Sequence, residues 1–176
     1  LFVRRSVANN LNDIAKDHAD LVVGVLRRWR GSRKPETKWL VKHALRTLLK
    51  KGHPEALELL GYARNARVKV ERLVVSPGRV KVGDSVTFRF QVRSRAATAQ
   101  ALMIDYVMHH RKANGATRPK VFKLTAKVLK AGETLAVEKR HSFRPIGIRP
   151  YYPGGHAVEI QINGRVHARA EFALRA

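Results

Sequence analysis

The sequence predicts a multidomain α and β chain: HEAT-like α-helical repeats over residues 1–64, then an immunoglobulin-like antiparallel β-sandwich over residues 65–176. Three observations predict it. Apolar residues before about position 64 recur at helical spacing. Within that region V-R-R-S-V-A-N-N-L at 3–11 matches V-K-H-A-L-R-T-L-L at 41–49 in its apolar positions, an offset of 38 residues. That offset lies just short of the HEAT and armadillo period of about 40–47 residues. Near Arg67 the period changes to two, and about seven alternating segments follow, separated by turn residues.

The first helix covers Val3 to His18. At about 100° per residue, Val3, Val7, Leu11 and Ile14 share an apolar stripe. Arg5, Asn9, Asn12 and Lys16 fall on the far side with Asp13 at the edge. Two carboxamides and two cations suit a phosphate backbone, and the carboxylate is a chemical group; the alternative is a solvated face. Asp17 is placed to cap the second helix, Leu21–Arg30, which has Asp20 near its start. The turn G-S-R-K-P precedes a third helix, Thr37–Lys51, which Gly52 stops. Pro54 opens a short fourth helix that ends at Gly61. Two copies are too few for a stable solenoid, and the chain begins at Leu1 inside a helix pattern, so further repeats are expected in front. A four-helix bundle is the alternative.

Val68, Val70 and Leu73 begin the β-region. After S-P-G-R at 76–79 and V-G-D at 82–84, Val86, Phe88, Phe90 and Val92 alternate with polar residues as a half-buried strand. Further strands run through Leu102–Met108, Phe122–Val128, Leu135–Val137 with Phe143 as a candidate continuation, Val158–Ile162 and Val166–Leu174. K-A-N-G-A-T at 112–117, A-G-E at 131–133 and N-G at 163–164 supply turns, the last a two-residue hairpin signal. Cys is absent, so the disulfide of antibody domains is missing and the likeness is architectural.

Charge selects the partner class. There are 36 Lys+Arg against 13 Asp+Glu, a net +23. Residues 1–66 carry 14 basic and 6 acidic side chains (+8), and the remainder carry 22 and 7 (+15). Such an excess repels itself unless a polyanion is near, so nucleic acid leads and an anionic membrane surface is second. No apolar run reaches the roughly 18 residues of a membrane span, and no membrane partner is expected. In the helices Arg4, Arg5, Lys16, Arg27, Arg28, Arg30, His43 and Arg46 can reach phosphates, and the offset puts Arg5 and His43 on one side. Trp29 and Trp39 are expected to pack between helices rather than to stack on bases. Two dense stretches, 105–123 and 139–156, mix cations, His and aromatics. They contribute His110, Lys112, Lys120, Lys123, Arg140, Arg144 and Arg149 as candidate DNA contacts. His109, His110, His141 and His156 have irregular spacing and only Asp105 as an acidic neighbour, so no metal or other cofactor is expected.

V-R-R-S-V-A-N-N-L-N-D-I-A-K-D-H, W-L-V-K-H-A-L-R-T-L-L-K-K-G-H-P-E-A-L, I-D-Y-V-M-H-H-R-K-A-N-G at 104–115 and K-R-H-S-F-R-P-I-G-I-R-P-Y-Y-P-G at 139–154 together resemble the AlkC branch of the bacterial DNA alkylation-repair glycosylases of the HEAT-like-repeat superfamily. D-H-A-D at 17–20 departs from the family's D-H-P-D, which affects only helix initiation. The larger departure is length, since family members carry several more repeats in front. The resemblance implies a DNA glycosylase that removes N3-methyladenine and N3-methylcytosine from double-stranded DNA, acting as a cytoplasmic, nucleoid-associated monomer. It places Asp13 in the acidic pocket, as the catalytic candidate. A helix-surface salt bridge is the other role open to Asp13, and a non-catalytic nucleic-acid-binding module is the other function open to the chain.

Overall fold

The computed structural model describes residues 2–147 and 150–176. The chain divides into two compact units, Leu1–Asn65 and Ala66–Ala176.

The first unit holds five helices among the described residues: α1 (Phe2–Ile14), α2 (Ala19–Arg30), α3 (Pro35–Ala44), α4 (Arg46–Lys50) and α5 (Pro54–Leu59). This overturns the HEAT-like repeat assignment. Most of the chain is an immunoglobulin-like β-sandwich, and the helices before it are short and unequal. The predicted Thr37–Lys51 helix starts earlier, at Pro35, and is interrupted at Leu45, which separates α3 from α4. The second pair ends in a helix of 6 residues where the first pair has one of 12, so the pairs are not copies.

The face of α1 also differs from the apolar stripe. Its buried line is Ala8, Asn12 and Ala15, whereas Val3 is 71% exposed and Val7 37%. Small side chains at 8 and 15 permit close packing, and Asn12 is buried because its carboxamide has a partner there. Asp17 does not cap α2. His18 holds that position and makes no side-chain cap bond. His53 does cap α5, its Nδ1 accepting from the Ala56 N–H at 3.4 Å. Among the described residues no helix is long and apolar enough to cross a membrane.

The second unit is a sandwich of β1 (Val68–Ser76), β2 (Arg79–Lys81), β3 (Ser85–Ser94), β4 (Gln100–Arg111), β5 (Thr117–Leu129), β6 (Thr134–Ser142), β7 (Gly154–Ile162) and β8 (Arg165–Arg175). One sheet is ordered β1-β3-β6 and the other β2-β8-β7-β4-β5. The eighth strand, β2, lies where the sequence indicates turns. It is three residues long and pairs in parallel with β8. Val86, Phe88, Phe90 and Val92 of β3 meet Leu102, Ile104, Tyr106 and Met108 of β4 and Val158, Ile160 and Ile162 of β7 in one core. Asn163 (φ 44°) and Gly164 (φ 79°) make the β7–β8 hairpin turn, where two positive φ values require this residue pair. Asn163 Oδ1 also accepts from the Met103 N–H at 2.8 Å, tying the turn to β4. On the edge strands, Lys120 of β5 pairs with core Met108 and Lys139 of β6 with core Phe88, so both lysines start from the inward side. Such inward charges on edge strands hinder pairing with a further strand.

Candidate nucleic-acid interface

In the helical unit a polar network joins the last turns of α1 to α3 and α4. Asn9 Oδ1 lies 3.2 Å from His43 Nε2. The Arg46 guanidinium donates to the His43 carbonyl at 2.9 Å. Trp39 stacks on His43 with ring centroids 4.7 Å apart. Burial, aided by Arg46 and Arg5, lowers the His43 pKa, so the ring is neutral at pH 7 and is not a phosphate-binding cation. Both tryptophans keep about a third of their surface exposed, 36% for Trp29 and 37% for Trp39.

Asp13 is exposed and receives the Lys16 ammonium at 2.6 Å. The Lys16 hydrogen bond and charge, with smaller help from Arg46 and Asn12, hold its carboxyl below the ordinary carboxylate range. Asp13 is thus ionised at neutral pH, and its present partner is the salt bridge. Asn12 leaves the DNA-facing arc altogether: it is 2% exposed, and its Oδ1 accepts from the Thr47 N–H at 3.1 Å. Arg4 is 3.8 Å from Glu36, while Arg5 is exposed near His43.

In the sandwich the two dense stretches meet around Arg111. A Cβ on Gly154 would stand 2.6 Å from Arg111 Cδ, and one on Gly115 would stand 3.6 Å from Arg111 Nη2. Both glycines have positive φ, 128° and 81°. Arg111 therefore lies across the backbone of Y-Y-P-G-G and reaches back to the K-A-N-G turn.

Behind these loops, His110, His141 and His156 pack with Tyr106, Phe143 and Tyr151. Tyr106 and His141 Nδ1 share a hydrogen bond of 3.0 Å, and His156 Nε2 donates to the Tyr152 carbonyl at 3.1 Å. Burial first, then neighbouring cations and imidazoles, push His110 and His141 down to about 4. Burial raises Tyr106 to about 12. His110 is consequently neutral at pH 7 and packs against these rings rather than presenting a cation. Among the described residues no group of three or more His, Cys, Asp or Glu is arranged to hold a metal ion.

The exposed cations remain. Lys112 sits in the β4–β5 turn, and Lys123 lies opposite Asp105 in the strand register. Lys120 has its ammonium 5.0 Å from the Phe122 ring centroid. Arg140 lies opposite Thr87, and Arg144 follows β6, its N–H bound to Ser142 Oγ at 3.1 Å. Arg149 lies outside the described residues. Sequence reasoning missed Thr47, whose backbone is the partner of Asn12, and the clamp role of Arg111. The paired glycines after Y-Y-P were the available signal for the second.

One face of the larger sheet is different in charge. His109 Nε2 stands 2.9 Å from Glu159, which also accepts from Arg169 at 2.9 Å. Burial raises the Glu159 pKa, but these contacts outweigh it and hold the group low. His109 lines a cavity of about 420 Å³ with His156, Arg169, Glu171 and Phe172. Arg169 is already shared by Glu159 and Glu171, so this cavity offers no free cation to a phosphate.

Residues 69–176 match the family model described as the C-terminal Ig-like domain of the uncharacterised protein YhaZ. YhaZ of Bacillus subtilis (strain 168) is 40% identical over 174 residues, 99% of this chain and 48% of YhaZ. Alkylpurine DNA glycosylase AlkC of Pseudomonas fluorescens, solved bound to DNA containing an abasic site analog, has a TM-score of 0.94 at 39% identity, over 100% of this chain and 49% of AlkC. A β-glucosidase of Erythrobacter marinus shares the fold alone, with a TM-score of 0.52 and 12% identity over 62% of this chain and 16% of its own. The chain spans about half the length of YhaZ and of AlkC. It resembles AlkC throughout, and by its match over residues 69–176 it belongs to the family of the YhaZ C-terminal immunoglobulin-like domain.

Proposed function

We propose that the whole protein is a base-excision-repair DNA glycosylase that hydrolyses the N-glycosidic bond of N3-methylated adenine and cytosine in alkylated double-stranded DNA. The observation that carries this is the 39% identity over the full chain to a glycosylase solved on DNA. A net charge of +23 supports a polyanionic partner. An N3-methylated base is cationic and departs as a neutral base without a general acid. The charge then sits on the oxocarbenium-like sugar, where the ionised Asp13 carboxylate stabilises it and orients the attacking water. Lys16 lowers the pKa of that carboxylate further below the ordinary carboxylate range. Arg5, Lys16 and Arg46 of the helical unit contact phosphates. In the sandwich the phosphate contacts are Lys112, Lys120, Lys123, Arg140, Arg144 and Arg149. The enzyme acts as a monomer in the cytoplasm, on the nucleoid when DNA-bound.

The test is a duplex carrying one N3-methylated base, incubated with the full-length protein and then treated with alkali. Strand breakage at the lesion supports excision. Tight binding with the base still attached favours the second reading, a non-catalytic nucleic-acid-binding module. The exposure of Asp13 and its salt bridge to Lys16 favour that second reading for this half alone.

A further inference from the structure

Asp13 stands in the last turn of α1, where backbone carbonyls run out of partners and a helix frays. Asn12, next to it, is pinned. Its side chain is 2% exposed, and its Oδ1 binds the Thr47 N–H at 3.1 Å. Thr47 belongs to the first turn of α4, whose cap residue Leu45 has no side-chain acceptor to offer. Asn12 thus supplies from another helix the acceptor that α4 lacks. The same joint carries Arg46, whose guanidinium is bound to the His43 carbonyl and whose charge reaches Asp13. Asn9, one turn before Asp13, is tied to His43 from the same side.

We infer that Asn12 is a positioning residue: by joining the last turn of α1 to the first turn of α4, it fixes where the Asp13 carboxylate points. The inference rests on the proposed role of Asp13 in glycosidic-bond hydrolysis. A catalytic group misplaced by about 1 Å loses about a hundredfold in rate, so the joint matters more to rate than to binding.

The test uses the full-length protein and Asn12→Asp, which keeps an oxygen for Thr47 but replaces the amide beside Asp13 with a like charge. Asn12→Ala serves as the variant that loses the joint. Single-turnover excision is measured against pH, with duplex affinity by anisotropy and folding by thermal melting. Asn12→Ala is expected to bind DNA nearly as wild type and to excise about a hundredfold more slowly. Asn12→Asp keeps the oxygen for Thr47, melts lower because a carboxylate replaces a buried amide, and moves the acid limb of the pH profile upward. The upward shift follows because a neighbouring negative charge raises the Asp13 pKa. An unchanged rate in folded Asn12→Ala, or an unchanged pH profile in Asn12→Asp, with Asp13→Asn inactive, overturns this inference alone. Full excision by Asp13→Asn overturns the catalytic reading and this inference with it.

Discussion

Arg111 lies so close over Gly154 that a Cβ on the glycine would meet Arg111 Cδ at 2.6 Å and Nε at 2.9 Å. Gly154 also has a φ of 128°, which L side chains rarely adopt. The strained φ carries the cost of a substitution, while the Arg111 side chain must move aside. Gly154→Ala is expected to destabilise the sandwich by about 1–3 kcal/mol and to displace Arg111, with the loss read by chemical denaturation. A variant as stable as the parent contradicts the clamp.

Asn163 combines a turn and a tether. Its positive φ suits Asn, and its side chain binds the Met103 N–H and the Ala101 carbonyl. Asn163→Ala leaves a buried donor unpaired, and a loss of about 1–3 kcal/mol is expected in urea unfolding. Asn163→Gly, which restores the conformation but not the tether, should recover only part of it.

The three packed imidazoles make the sandwich acid-sensitive. His110 and His141 are held at about 4, and His156 is also lowered, in each case first by burial. The charges around them are Lys112, Lys120 and Lys139, with Arg111 beside His156, all of one sign. The unfolded chain takes up these protons near pH 6.5, while folded His110 and His141 do not until about 4. Stability from this cluster is thus complete above about 6.5, and falls as pH drops toward 4. Imidazole carbon shifts should show His141 still neutral at pH 5. A midpoint near 6.5 contradicts the burial account.

Binding to duplex DNA should weaken steeply with salt, because phosphate contacts release counterions. Replacing Lys112, Lys120 and Arg144 together by Ala is expected to reduce the slope of log affinity against log salt by up to about 3. A slope unchanged by the triple variant removes these loops from the interface.

The β-region was legible because its signals are local. Alternation in β3 names the buried Val86, Phe88, Phe90 and Val92, and N-G names the tight turn. What escaped depends on distant partners. Strand β2 has three residues, and its ladder is completed only by Ala173–Arg175 of β8. The Val3–Val7 stripe misplaced the buried face of α1 because hydrophobic periodicity cannot register a buried carboxamide whose partner, Thr47, is 35 residues away. The matching apolar positions at 41–49 suggested a second repeat, yet Leu45 breaks that helix and α5 has only 6 residues. Among the candidate contacts, a His such as His110 looks like a cation in sequence, and only its packing against Tyr151 and Phe143 makes it neutral.

In the proposed reaction the Asp13 carboxylate serves chemistry beyond its bond to Lys16. The most direct measurement is single-turnover release of an N3-methylated base from a duplex by full-length protein, wild type against Asp13→Asn, with affinity measured in parallel. Base release by the wild type is expected, with a loss of about a hundredfold or more in the variant and affinities within about twofold of one another. Equal rates, or a loss of rate that matches a loss of binding, would contradict it and leave Asp13 a surface salt bridge.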